Sequence, residues 1–197
     1  DNVTRSFNIT IAPINDAPIA NDMTVSTNET RFISAEISLD VTDVDSNNFT
    51  YTIVSNVSNG TTSIDGGTVT YSPNQDWHGS DGFSFKANDG ELDSNIATVV
   101  IGVIPVNDAP TVENMAIETQ EDIPVSFKFS FNEVDNDNLS FVVVNSPVSG
   151  SVSINGAIAT YEPNSNFNGA DSFTFKANDG ALDSNVGTIS LTIKSVN

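Results

Sequence analysis

The chain has 197 residues, with 26 Asp/Glu against six Lys/Arg, a formal charge of −20 at pH 7 and no cysteine. That charge opposes nucleic acid and anionic membranes and adds self-repulsion to a folded state, while the missing thiols exclude disulfides, thiolate metal sites and thiol catalysis. No run of 18 or more apolar residues is present, so no membrane insertion is expected, and an oxygen-held cation is the remaining candidate to brace a small acidic fold.

Val3 to Ile11 reads as a strand, with Val3, Arg5, Phe7, Ile9 and Ile11 on one face. It stands before Ile14-Asn15-Asp16-Ala17-Pro18 as Ala97 to Ile104 stands before Val106-Asn107-Asp108-Ala109-Pro110, and Val196-Asn197 begins the same motif again. Residues 1–14 are therefore expected to be the last strand and linker of a preceding repeat, with repeat 1 at 15–106, repeat 2 at 107–197, and the chain part of something longer. Between the joints the sequence duplicates itself: Tyr71–Asn95 and Tyr161–Asn185 match at 16 of 25 positions. A unit of about 90 residues exceeds the length of most solenoid repeats and suits an independent small domain.

Repeat 1 predicts strands at Met23 to Ser26, Phe32 to Leu39 (Ile33, Ala35, Ile37 and Leu39 inward), Phe49 to Val54, Thr62 to Ile64, Thr68 to Tyr71, Phe83 to Ala87 and Ala97 to Ile104. Repeat 2 predicts them at Glu113 to Ile117, Val125 to Phe131, Leu139 to Val144, Ser151 to Ile154, Ile158 to Tyr161, Phe173 to Ala177 and Val186 to Ile193. Asp65-Gly66-Gly67 and Asn155-Gly156 mark tight hairpins between the fourth and fifth strands. Abundant Asn, Ser, Thr and Asp with little Lys, Leu and Ala disfavours long helices. The expected fold is all-β, two tandem seven-stranded antiparallel β-sandwiches joined end to end.

Acidic residues gather in three kinds of place. Asp43-Val44-Asp45-Ser46-Asn47 and its counterpart Glu133-Val134-Asp135-Asn136-Asp137 lie in the loop after the second strand, where oxygens at alternate residues converge on a hard cation as the loop curls. The loop is not an EF-hand, because Val54 stands where that loop would close with Glu. Asn88-Asp89-Gly90 and Asn178-Asp179-Gly180 end the sixth strand, and the joint supplies Asn107 and Asp108. The other end of repeat 1 offers Glu29, Asp76 and Asp81.

Asp-x-Asp in the second-to-third loop, Ala-x-Asp-Gly after the sixth strand and the Asn-Asp-x-Pro joint resemble the calcium-binding pattern of cadherin domains, and more closely the bacterial cadherin-like tandem repeats of large secreted proteins. That resemblance implies calcium ions at each joint. At the central joint it implies ligands from Glu29, Asn107, Asp108, Glu133, Asp135, Asp137 and Asp179, with Asp76 or Asp81 standing where cadherins carry a Leu-Asp-Arg-Glu motif absent here. An upstream joint would draw Asn15, Asp16, Asp43, Asp45 and Asp89.

The single histidine, His78, lies in Asp76-Trp77-His78-Gly79-Ser80-Asp81, which sets an acid, a base and a nucleophile side by side. Repeat 2 has Asn166, Asn168 and Ala170 at the positions of Asp76, His78 and Ser80, so the turn forms without them and no enzyme is expected. The sequence thus points to a calcium-stiffened adhesion spacer of a large extracellular bacterial protein, partnered by neighbouring repeats and by cell-surface or polysaccharide ligands. The alternative is a calcium-dependent polysaccharide-binding module of a secreted enzyme.

Overall fold

Burial in this chain alternates with the two-residue period of a pleated strand. Ala97, Val99, Ile101 and Val103 are buried while their neighbours face outward. The computed structural model describes residues 14–29 and 34–196, so the expected strand Val3–Ile11 and the inward Ile33 lie outside the described residues. The chain divides into two compact units, Asp1–Val106 and Asn107–Asn197. The described residues contain no helix, hence none long and apolar enough to cross a membrane.

Unit 1 comprises β1 (Ile19–Ala20), β2 (Met23–Asn28), β3 (Ala35–Ser38), β4 (Val41–Thr42), β5 (Thr50–Ser55), β6 (Gly60–Asp65), β7 (Thr68–Pro73), β8 (Gly79–Asn88) and β9 (Ala97–Ile104). Unit 2 repeats the series as β10 (Thr111–Val112), β11 (Met115–Gln120), β12 (Val125–Lys128), β13 (Phe131–Asn132), β14 (Ser140–Asn145), β15 (Gly150–Asn155), β16 (Ile158–Pro163), β17 (Gly169–Asn178) and β18 (Gly187–Lys194). In unit 1 a four-stranded sheet ordered β2-β9-β8-β5 and a three-stranded sheet ordered β3-β7-β6 share one core, including Ile37, Val69, Tyr71, Phe83, Phe85, Val99 and Ile101. In unit 2 the sheets are β11-β18-β17-β14 and β12-β16-β15, and Phe129 stacks on Phe175 with ring centroids 4.0 Å apart. Each such side chain taken from water stabilises the unit by about 1.5–3 kcal/mol.

The sandwich matches the sequence-based expectation, with three differences. First, the edge strands β2 and β11 run parallel to β9 and β18, whereas every other ladder is antiparallel. Second, the predicted strand Val125–Phe131 breaks after Lys128, and β3 ends at Ser38, one residue before the end predicted for its counterpart. Leu39 donates its amide to Gly67 O at 2.8 Å and Phe129 donates its own to Ala157 O at 3.0 Å, after which the chain leaves β7 or β16 to pair with the short β1 or β10. Third, β8 and β17 begin at Gly79 and Gly169, inside segments whose Gly, Asn and Ser read as turns. The tertiary ladder to β9 and β18 overrides that local preference.

At the hairpins, Gly66 and Gly156 have φ of 55° and 57° at the first of two turn positions, the left-handed conformation that a type II′ turn requires.

Candidate metal centre

Two short strands fix the residues that follow each linker. The side chain of Asn95 imitates a ladder partner: its Oδ1 accepts the Ala20 amide at 3.0 Å and its Nδ2 donates to Ala20 O at 2.8 Å. Asn185 does the same for Val112, at 2.9 Å in both directions. Buried Pro18 lies just ahead of β1, so the preceding Asn15 and Asp16 are held beside the end of β8 and the loop after β4.

There the expected ligands of unit 1 meet. Asn15 Nδ2 donates to Asp89 Oδ2 at 2.8 Å, and the Asp16 amide donates to Asp45 Oδ2 at 2.9 Å. Asp43 Oδ1 accepts the amides of Asp45 and Ser46 at 2.7 and 3.1 Å, curling the loop as an Asx turn. Its other oxygen, Oδ2, is buried and accepts no hydrogen bond among the described residues.

Unit 2 builds the same arrangement from its own residues. Asn107 Nδ2 donates to Asp179 Oδ2 at 2.9 Å, the Asp108 amide to Asp135 Oδ2 at 2.8 Å, and the Asp135 amide to Glu133 Oε1 at 3.0 Å. Glu133 Oε2 is buried without a hydrogen bond, as Asp43 Oδ2 is. Asn136 accommodates the loop with φ of 62°. Asp137 is exposed, and no hydrogen bond joins it to this network among the described residues.

Backbone amides keep the outer carboxylates ionised. The Leu92 amide, then the Glu91 amide and the Asn15 side chain, hold Asp89 below the usual carboxylate range. For Asp179 the Leu182 amide leads, followed by the Asn107 side chain and the Ala181 amide.

At the other end of unit 1, Glu29 follows β2. Its Oε1 accepts the Val106 amide at 2.9 Å, while Oε2 lies 3.4 Å from His78 Nδ1. His78 Nδ1 thus faces Glu29. Trp77 packs against the core of unit 1.

Asp81, expected as a ligand from its position in the chain, is hydrogen-bonded within unit 1. Its oxygens accept the amides of Ser58, Asn59 and Gly82 at 2.8–2.9 Å and the Tyr71 hydroxyl at 3.3 Å. Asp171 repeats this with Val148, Ser149, Ser172 and Tyr161. Four donors occupy the carboxylate, which ties a loop to the core.

Sequence reasoning missed Glu121. The Val196 amide donates to Glu121 Oε1 at 2.8 Å, reproducing the pairing of Val106 with Glu29. The 90-residue offset (161 − 71) pairs Glu29 with Thr119, but the joints are 92 apart (107 − 15), and so are Glu29 and Glu121 (121 − 29). The connection between β2 and β3 is two residues longer than that between β11 and β12, and the two offsets differ on either side of it.

Among the described residues no three His, Cys, Asp or Glu side chains gather closely enough to hold an ion by themselves. Calcium also takes main-chain and amide oxygens and water, so the donor set, with a buried acceptor left open at the same position of each unit, fits a hard cation.

Comparison with known proteins places this geometry. Residues 15–102 and 107–192 each match the bacterial Ig domain. Integrin beta-like protein A of Dictyostelium discoideum is 32% identical over 112 residues, 48% of this chain and 6% of that protein, so the chain spans a small part of that relative. Human protocadherin-24 EC1-2 superposes with a TM-score of 0.58 at 15% identity, covering 93% of this chain and 100% of that one. Human mucin-like protocadherin EC1-2 gives a TM-score of 0.56 at 14% identity, covering 91% and 98%. At such identities the likeness concerns the fold, which is that of cadherin repeats. Matched over both of its units, the chain belongs to the bacterial Ig domain family, as two tandem copies.

Proposed function

We propose that this chain is a calcium-binding structural and adhesion spacer in a large extracellular bacterial protein, with calcium stiffening the joints between its sandwiches. The single observation that carries the reading is the pair of buried, unbonded oxygens, Asp43 Oδ2 and Glu133 Oε2. Each stands two residues before an aspartate, Asp45 or Asp135, that accepts an amide of the linker. A buried carboxylate oxygen without a donor is costly unless a cation offsets its charge. Duplication of that arrangement argues that it is selected for an ion and is not an accident of packing.

Calcium would be held by Asp43, Asp45, Asp89, Asn15 and Asp16 in unit 1 and by Glu133, Asp135, Asp179, Asn107 and Asp108 in unit 2, with Glu29 and Glu121 available beside the linker amides of Val106 and Val196. The ion supplies charge neutralisation and a rigid link between carboxylates that otherwise repel. Neighbouring repeats are the principal partners, and cell-surface or polysaccharide ligands are the class an adhesive chain of this kind would meet.

Calorimetric titration of the chelator-stripped protein tests this. Binding to the folded state alone adds RT ln(1 + [L]/Kd), about 2.7 kcal/mol at a hundredfold excess over Kd. Millimolar calcium should raise the melting temperature, magnesium should substitute poorly, and Glu133→Gln should remove the response of unit 2. Identical melting curves in chelator and in calcium would sink the reading.

A further inference from the structure

Glu29 is the one buried charged side chain among the described residues, 5% exposed, and its two oxygens are used unequally. Oε1 accepts the Val106 amide, whereas Oε2 has no hydrogen bond among the described residues although His78 Nδ1 stands 3.4 Å away. The imidazole is 56% exposed, so solutes reach it. Unit 2 carries an amide at that position, and Asn168 Nδ2 donates to Glu121 Oε2 at 3.4 Å. Replacing that amide by an imidazole in unit 1 leaves a buried carboxylate oxygen open beside a ring nitrogen.

Two ligands of one tetrahedral ion show this spacing. Zn–N and Zn–O bonds of about 2.0–2.2 Å at the tetrahedral angle set nitrogen and oxygen about 3.3–3.5 Å apart. Imidazole with carboxylate selects zinc, copper, nickel or cobalt, whereas calcium prefers oxygen alone.

We propose that unit 1 holds, at its C-terminal end, a divalent transition ion of the zinc class through His78 Nδ1 and Glu29 Oε2, with water completing the coordination, and that unit 2 lacks the site. The site shares Glu29 with the calcium reading but does not depend on it.

The chain's single histidine makes the test direct, because a long-range proton–nitrogen spectrum of the labelled protein contains one imidazole. Titration with zinc should move its Nδ1 resonance saturably. Glu29→Gln should weaken zinc binding by at least the 10–100-fold that loss of a group orienting a ligand costs. His78→Asn installs the residue that unit 2 carries, so it preserves the fold even where Glu29→Gln does not. It should abolish the calorimetric signal for zinc while keeping the rise in melting temperature with calcium. An Nδ1 resonance that stays put in millimolar zinc, a shift confined to Nε2, or unchanged zinc affinity in His78→Asn would overturn the proposal. Failure of the calcium reading would show separately, as melting insensitive to calcium with zinc binding intact.

Discussion

Asp81 and Asp171 show how a single carboxylate serves the fold. Burial pushes each carboxyl up, but the amides of Ser58, Asn59 and Gly82, or of Val148, Ser149 and Ser172, together with a tyrosine hydroxyl, outweigh it and hold the group below its ordinary value. The tyrosines answer in the opposite direction. Burial first, then the charge of Asp81, pushes Tyr71 up to about 12. Asp171→Asn keeps one acceptor and loses the other, so it should destabilise unit 2 by about 1–3 kcal/mol, and Tyr161→Phe by about 1 kcal/mol, as read from denaturant melts. A carboxyl with a depressed folded value contributes stability that is present above its unfolded value, about 3.9, and lost as pH falls through the folded one. The loss follows because the unfolded chain then binds protons that the folded chain does not. Against this, acidification toward the pI of about 4.1 removes net charge and self-repulsion. The melting temperature should therefore hold or rise from pH 7 to about 5 and fall steeply below about 4. A steady decline beginning at pH 7 would contradict that balance.

At the scale of elements, each Asp–Tyr lock is closed by a glycine. A Cβ on Gly150 at the start of β15 would stand 2.5 Å from Glu162 O and 2.6 Å from the Tyr161 ring, and one on Gly60 would stand 2.5 Å from Ser72 O and 2.7 Å from the Tyr71 ring. Gly150→Ala or Gly60→Ala should cost its own unit about 1–3 kcal/mol by overpacking. Gly102→Ala in β9 is the control, since its Cβ would meet only Val25 O at 3.9 Å. A calorimetric trace in which all three variants melt like the parent would refute the argument. The cores also differ in kind. Unit 2 stacks Phe129 between Phe141 and Phe175 where unit 1 has Leu39 at the matching position. Phe129→Ala should therefore cost unit 2 about 3–5 kcal/mol while the unit 1 transition stays in place.

For the whole molecule, stiffness is the property that calcium at the joint would confer. Like-charged carboxylates repel, and on the proposed calcium reading an ion that they share would reverse the sign of that interaction. Asp108 lies in the linker, half-buried, with its amide committed to Asp135 and its side chain outside both cores. Asp108→Asn should leave each sandwich folded yet broaden the distribution of lengths that small-angle scattering reports in calcium. A native chain whose distribution is the same with and without calcium would reduce the joint to a tether.

Composition, the 16 of 25 matches, alternation such as Phe173-x-Phe175-x-Ala177 and the Gly-containing turns were enough to establish two all-β sandwiches, because these signals act over a few residues and agree with one another. They also placed Asn15, Asp16, Asp43, Asp45, Asp89 and their counterparts in linkers and loops at one end of each unit. Spacing alone could not separate Asp81 from Asp45, since both stand near turns in acidic stretches. The contacts that divide them include backbone amides more than 20 positions away in the chain, those of Ser58 and Asn59 for Asp81 and that of Asp16 for Asp45. Tertiary structure likewise decided the parallel pairing of β2 with β9, the role of Asn95 as a ladder partner and the equivalence of Glu29 with Glu121. Each depends on which distant backbone groups are brought within hydrogen-bonding distance, and no local pattern of side chains encodes that.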